Sequence, residues 1–252
     1  MSVLAAIPAR FGSTRFPGKP LAPILGRPMI AWVVEAVKKA RRIDDVTVIT
    51  DSEDVAMAAR EAGGRAVVST HEAASGSDRI AHLLAIDPVA ARATTVVNLQ
   101  GDEPALEAEA IDRAVDLLDE NRSEVATLVR TVRRDEDVED PNLVKVAVAE
   151  DGRALYFSRS PIPYGAGEGI GGPWIHVGIY AFRRPAFERF VATPPSPLER
   201  VERLEQLRAL ELGLRIACAC VRTGSVAVDV PADVPRAEAE LRRRLDALRR
   251  RP

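Results

Sequence analysis

Between residues 8 and 29 the sequence sets three glycines, five prolines and the cations Arg10, Arg15, Lys19 and Arg27 directly after the apolar run Val3–Ile7. A cationic, bend-rich loop leaving the end of a buried strand suits an anion. Backbone N–H groups around Gly12, Ser13 and Thr14 can form a nest, and Arg10, Arg15 and Lys19 add full charges. A polyphosphate is the expected occupant. The loop is not a P-loop, because five residues rather than four separate Gly12 from Gly18 and Pro20 follows Lys19; the fingerprint G-x-G-x-x-G is also absent. The competing reading is a surface loop with ordinary glycine and proline turns.

Acidic residues lie far from this loop in the chain. The run Asn98-Leu-Gln-Gly-Asp-Glu-Pro104 places Asp102 and Glu103 where an apolar strand ends. A carboxylate beside a polyphosphate is repelled unless a cation bridges them, and Mg2+ favours one or two carboxylates together with phosphate oxygens. An exposed acidic turn is the alternative. Asp229 closes the short apolar strand of Val226-Ala-Val-Asp-Val-Pro231. It reads either as a second cation ligand or as the cap of the last helix, with Pro231 in the first turn. On the strand Trp174–Tyr180, alternation puts His176, Gly178 and Tyr180 on one face. That face either binds hydroxyl groups beside a small residue or holds a packed core histidine. Glu205 and Gln206 share a helix with Glu199, Glu202, Arg203 and Arg208, and on pattern alone that is a solvated face with i,i+3 and i,i+4 pairs.

These residues need a scaffold that gathers strand ends. Strands are predicted at Val3–Ile7, Val46–Thr50, Arg65–Ser69 and Thr95–Leu99, with helices near Met29–Ala40, Ser52–Ala62, Ser77–Ala85 and Glu107–Asn121. Strands apolar on both faces, each followed by a helix, predict an α/β fold with a mostly parallel central sheet and helices on both faces. Ligands bind such sheets outside the carboxyl ends of the strands. Beyond Val125–Val132 the rhythm changes to strands at Leu143–Ala149, Ala154–Ser158 and Ile175–Phe182, so residues 132–183 read as a small antiparallel insertion or dimerisation lobe within a single domain, 1–252. A helix at Pro197–Glu211, a strand at Leu214–Val221 and a helix from Pro231 to Arg250 complete the chain. The arginine-rich end carries Leu241, Leu245 and Leu248 at helical spacing, which reads as a solvated helix face rather than a nucleic-acid contact.

Composition narrows the function classes. With 35 Lys+Arg against 37 Asp+Glu, the net charge of -2 supplies no global field for nucleic acid or a membrane surface, so any anion site is local. Lysine occurs only at Lys19, Lys38, Lys39 and Lys145, which marks the lysine inside the loop as a chemical requirement. Cys218 and Cys220 read as reduced core thiols, since neighbours two apart on a strand bridge poorly. With no signal-peptide pattern and no membrane-spanning run, a cytoplasmic protein is expected.

In order along nearly the whole chain, Pro8–Leu21, Ser75-Gly-Ser-Asp-Arg79, Asn98–Pro104, Pro141-Asn-Leu-Val-Lys145, Ala154–Pro163, His176–Tyr180, Ser196–Glu199 with Leu204–Arg208, and Val228-Asp229 resemble the 3-deoxy-manno-octulosonate (Kdo) cytidylyltransferase family. The resemblance implies a Rossmann-like nucleotidyltransferase that acts as a homodimer with Mg2+ on CTP and Kdo, giving CMP-Kdo and pyrophosphate for lipopolysaccharide synthesis. It implies triphosphate contacts at Arg10, Ser13 and Lys19, nucleotide contacts at Arg79 and Gln100, and metal ligands at Asp102 and Asp229. Sugar contacts fall at Arg159, His176, Tyr180, Glu205 and Gln206, with Arg159 offering a fork for the substrate carboxylate. Arg10, Lys19, Asp102 and Asp229 are the expected catalytic group. Ile175 stands where the family usually has a basic residue, and the loop Tyr164–Pro173 is short, so amino-Kdo or a sialic acid is an alternative sugar. A nucleotide-sugar glycosyltransferase fits less well, because Gly101-Asp-Glu-Pro104 lacks a D-x-D metal motif.

Overall fold

A computed structural model of the chain describes residues 2–12, 15–120, 122–133, 136–165, 173–222 and 226–249, apart from the side chain of Leu248. The chain forms two compact units, Met1–Asp112 with Ser225–Pro252, and Arg113–Gly224. The β-rich stretch expected over 132–183 lies inside the second unit.

The first unit alternates strand and helix as its hydrophobic pattern requires: β1 (Val3–Pro8), the short β2 (Pro23–Ile24) and β3 (Arg27–Pro28), α1 (Met29–Lys38), β4 (Asp45–Thr50), α2 (Glu53–Glu61), β5 (Arg65–Val68), α3 (Gly76–Ile86) and β6 (Thr95–Leu99). Strands β6-β1-β4-β5 lie side by side in that order and all parallel. β1 and β6 are buried along nearly all their length, which is why they carry no polar alternation. The strand order reverses direction between β1 and β6, and Ala6 pairs with Asn98, so the two chains leave the sheet side by side at that switch point. Ser52 and Ser75 cap α2 and α3 by accepting the backbone N–H groups of Val55 and Asp78.

The loop after β1 is more ordered than its composition announces. Lys19–Leu21 form a 3-10 turn entered through Gly18 at φ 69, and β2 and β3 make an antiparallel hairpin around Leu25 and Gly26, both at positive φ. Beneath it, Ile24, Met29, Ala105, Val226, Val228, Ala237 and Leu241 pack into one apolar cluster with Leu245 at its edge. Leu241 and Leu245 of the last helix, Val234–Arg249, thus belong to the core, and Arg242, Arg243 and Arg244 pair with Glu238 and Glu240 on the same helix.

The second unit starts inside α4 (Ala108–Glu120) and contains β7 (Val125–Arg130), β8 (Lys145–Val148), β9 (Ala154–Ser158), β10 (Trp174–Arg183), α5 (Arg184–Ala192), α6 (Pro197–Glu202), α7 (Gln206–Glu211) and β11 (Ile216–Cys220). β10 runs antiparallel to β7 and to β8, β8 is antiparallel to β9, and β11 is parallel to β7. We number the helix Val234–Arg249 α8.

Four expectations are corrected. The helix predicted over Pro197–Glu211 is two helices, broken where Arg203 turns left-handed at φ 55. α5 was not anticipated, although Pro185 in its first turn and the buried Phe187 and Phe190 on one face explain it. Val226–Asp229 is not a strand: among the described residues its one backbone hydrogen bond to a distant segment runs from Val228 N–H to the Asp102 carbonyl (2.9 Å). Cys218 is buried, its thiol pushed up to about 12 by loss of hydration, but Cys220 at the end of β11 is exposed.

Candidate active site

The first unit contains a cleft of ≈ 410 Å³ at the switch point, lined by the ends of β1 and β6, the 3-10 turn, the start of α3 and the segment before α8. Each wall has a local cause. Gly101 lets the β6 end pass the β1 end: a Cβ there would stand 3.3 Å from the Pro8 carbonyl oxygen. Gly76 does the same for α3, where a Cβ would meet Pro8 Cγ at 3.2 Å. The N-terminus of α3, with Ser75 and Gly76, presents the positive end of its dipole to the same cleft.

Four side chains from three remote parts of the chain converge here. Lys19 Nζ donates to Asp102 Oδ2 at 2.6 Å and stands 3.5 Å from Asp229 Oδ1, and Arg15 donates to the same Asp229 oxygen at 3.2 Å. Asp229 does not cap the last helix. Asp233 Oδ2 accepts the backbone N–H groups of Asp229 (2.8 Å) and Val230 (2.9 Å) just before the 3-10 turn Pro231–Asp233, while the Asp229 carboxylate faces the cleft. The buried Val226 and Val228 and the Val228-to-Asp102 backbone bond fix the segment against the β6 end. Glu103, next to Asp102, is turned inward; burial first, and then the Asp102 charge, push its carboxyl up to about 8 against the pull of Arg244. Of that acidic pair only Asp102 lines the cleft.

Arg10 and Gln100 line the cleft, and Arg10 is exposed within it. Arg79, on α3, is buried with one terminal nitrogen unpartnered among the described residues, and the side-chain oxygen of the neighbouring-strand residue Asn98 is likewise unpartnered. Ser13, with most of the expected anion nest, lies outside the described residues. Arg15 and Asp233 belong to the site although neither was singled out from the sequence; Arg15 counted only as loop charge, and Asp233 had no signal beyond a carboxylate in a helix's first turn.

In the second unit His176 and Tyr180 share a face of β10, their ring centroids 5.1 Å apart, as alternation predicts, and Phe157 meets the imidazole edge-on at 5.5 Å. Loss of hydration among these rings holds the imidazole down to about 3. The Thr127 hydroxyl donates to the Ile179 carbonyl (2.8 Å), so His176 Nε2–H donates to Thr127 Oγ1 at 2.9 Å. That tautomer keeps Nδ1 as an acceptor. Tyr180 Oη is buried without a partner among the described residues, and its pKa is raised by burial, then by the nearby Cys218 and Glu205. Gln206 is buried at the start of α7, with Glu205 preceding it.

Arg159 departs from the expected open fork. Its Nε and terminal nitrogens donate to the carbonyls of Glu202 (2.8 Å), Pro141 (2.8 Å) and Arg203 (3.3 Å), while Glu202 accepts from Arg159 N–H and Ser158. The guanidinium ties loops together with three of its five N–H groups, and among the described residues the other two remain for a substrate carboxylate.

Can the cleft hold a divalent cation? Two carboxylates converge on one ammonium, the donor set is all oxygen, and no third acidic group crowds it; among the described residues there is no cluster of three or more His, Cys, Asp or Glu. Two carboxylates that leave the remaining positions to phosphate oxygens and water fit Mg2+.

A parallel sheet with its cleft at the switch point, a cationic loop and an acidic pair defines an α/β nucleotidyltransferase. The comparisons agree. The cytidylyltransferase family model matches residues 4–216. The chain is 46% identical over 256 residues to a 3-deoxy-manno-octulosonate cytidylyltransferase of Chelativorans sp. (strain BNC1), covering 98% of this chain and 100% of that one. It is 47% identical over 240 residues to that of Anaeromyxobacter sp. (strain K), covering 95% and 97%. The solved structure of CMP:2-keto-3-deoxy-manno-octonic acid synthetase complexed with CTP matches with a TM-score of 0.87 at 35% identity, covering 97% of this chain and 100% of that one. The chain therefore belongs to the 3-deoxy-manno-octulosonate cytidylyltransferases.

Proposed function

We propose that this enzyme transfers the cytidylyl group of CTP to Kdo, giving CMP-Kdo and pyrophosphate for lipopolysaccharide synthesis. The observation that carries this reading is the convergence of Lys19, Asp102 and Asp229 in one cation-lined cleft at the end of a parallel sheet. The anomeric oxygen of the sugar acid attacks the α-phosphorus, the bond to the β-phosphate bridge breaks, and the hydroxyl proton passes to solvent. Arg10 and Lys19 hold the triphosphate and then the leaving pyrophosphate, where negative charge builds. Ser13 is a further triphosphate contact, and Arg79 and Gln100 bind the rest of the nucleotide. Asp102 and Asp229 hold Mg2+, which when bound supplies electrophilic polarisation of phosphate oxygens.

The second unit supplies the sugar contacts in this reading. His176 Nδ1 accepts a sugar hydroxyl and Tyr180 Oη supplies a free hydrogen-bonding group, beside Glu205 and Gln206. With its pKa held to about 3, His176 is too weak a base to remove a proton at neutral pH, so it positions substrate. Arg159 offers the sugar carboxylate the guanidinium N–H groups not already given to backbone carbonyls. Action as a homodimer in the cytoplasm follows from the family resemblance, and no helix among the described residues is long and apolar enough to cross a membrane.

The test is pyrophosphate release from each nucleoside triphosphate with a panel of sugar acids and Mg2+. CTP with Kdo is expected to exceed every other pair, and equal turnover of amino-Kdo or a sialic acid would overturn the sugar assignment. Asp102→Asn is expected to lower kcat about 10³-fold while CTP binding survives.

A further inference from the structure

Lys19 occupies the position that a divalent cation needs. Its ammonium lies 2.6 Å from Asp102 and 3.5 Å from Asp229, and its side chain is only 16% exposed. A magnesium ion requires oxygens at about 2.1 Å, so ammonium and metal cannot sit between these carboxylates together. Without a cation the two carboxylates repel one another. With Arg15 on Asp229, the two cations balance the two anions.

The backbone of Lys19 is fixed, its N–H donating to the Phe16 carbonyl and its own carbonyl accepting from Ala22 within the 3-10 turn, so any shift of the ammonium comes from rotation about its four-carbon stem. The cleft is also lined by Arg10, which holds phosphate in the reading above, and by the start of α3, whose positive dipole end faces it. A triphosphate held there offers the ammonium oxygens that compete with the two aspartates.

We infer that Lys19 is a tethered stand-in for the metal: it holds Asp102 and Asp229 together in the empty enzyme and yields their oxygens only when nucleotide draws it away. The inference rests on Asp102 and Asp229 being the metal ligands. Its consequence is linkage. Whatever factor CTP adds to metal affinity, the metal adds to CTP affinity, and removing the ammonium abolishes most of that factor by making the metal site available from the start.

The experiment measures Mn2+ binding to the full-length enzyme by electron paramagnetic resonance, with and without CTP, for wild type, Lys19→Met, Lys19→Gln, Lys19→Arg and Asp102→Asn. Without nucleotide, Lys19→Met and Lys19→Gln are expected to bind Mn2+ about tenfold tighter than wild type, and Lys19→Arg, which keeps the competing charge, to remain within about twofold. CTP should tighten Mn2+ binding to wild type far more than to the two uncharged variants. If both uncharged variants bind Mn2+ no better than wild type while Asp102→Asn loses it, the stand-in role is wrong and the metal ligands are right. If Asp102→Asn binds Mn2+ like wild type, the ligand assignment fails and the inference falls with it. Far-ultraviolet circular dichroism of each variant separates misfolding from either outcome, and the two uncharged variants serve as replicates of one another.

Discussion

At the scale of single residues, the neutral imidazole of His176 ties stability to pH. Its folded pKa, about 3, lies below the ordinary 6.5, so between those values the unfolded chain binds a proton that the folded chain does not. Stability from this group is full above pH 6.5 and is lost on acidification, by up to about 1.4 kcal/mol per pH unit. Urea midpoints at pH 7.5, 6 and 5 are expected to fall more steeply for wild type than for His176→Gln. Parallel curves would show that His176 is not held neutral by its surroundings. The same substitution should raise KM for the sugar acid while leaving KM for CTP unchanged. Residue types at this scale were partly legible in the sequence: Lys19, Asp102 and the His176–Tyr180 face were marked by kind and spacing, whereas only the family resemblance separated Asp229 from a helix cap. What the sequence could not show was the pairing of Lys19 with acids 83 positions and more along the chain, because such proximity is a product of strand order rather than local pattern. Nor could it show that the Arg159 fork closes on backbone carbonyls.

At the scale of elements, Asp233 decides whether Asp229 is a cap or a ligand. By accepting the N–H groups of Asp229 and Val230 it satisfies the start of the Pro231–Asp233 turn and releases the Asp229 carboxylate to the cleft. Asp233→Ala is expected to raise the Mg2+ concentration needed for half-maximal pyrophosphate release by about tenfold, as loss of groups that orient metal ligands usually does. Asp233→Asn keeps an accepting oxygen and should recover most of that loss. An unchanged Mg2+ requirement in Asp233→Ala would place the control of Asp229 elsewhere, in the valines beneath it. The sequence offered both readings of Asp229 with equal force, since Pro231 follows in either case. The break between α6 and α7 was illegible for a related reason: no glycine or proline punctuates Leu198–Glu211, and an arginine supplies the left-handed turn. α5 had readable signals in Pro185, Phe187 and Phe190, and the strand-like run before it drew attention away.

At the scale of the whole molecule, the parallel half was the most legible part, because each strand buried on both faces is followed at once by its own amphipathic helix. The second unit joins β7 to β10 over a separation of some fifty residues, and pairings of that kind leave no mark on local sequence. Its limits, Arg113 within α4 and Gly224 after β11, coincide with no shift in composition, so the sequence read as one domain. Charge is the other molecular property with a consequence. The net -2 offers CTP no attractive field at a distance, so nucleotide binding depends on the cations of the cleft. Raising NaCl from about 0.05 to 0.5 M is expected to raise KM for CTP several-fold with little change in kcat, as screening lengths shrink toward contact distances. Arg10→Gln should raise KM about tenfold and flatten its salt dependence, since it removes one of the screened contacts. Arg242, 66% exposed on α8 and paired with Glu238, is the comparison: Arg242→Gln changes the net charge by the same single unit. If charge acts through the local site, Arg242→Gln follows the wild-type salt curve; if it shifts KM as far as Arg10→Gln does, the field of the whole protein steers the nucleotide and the cleft cations are not the source of affinity.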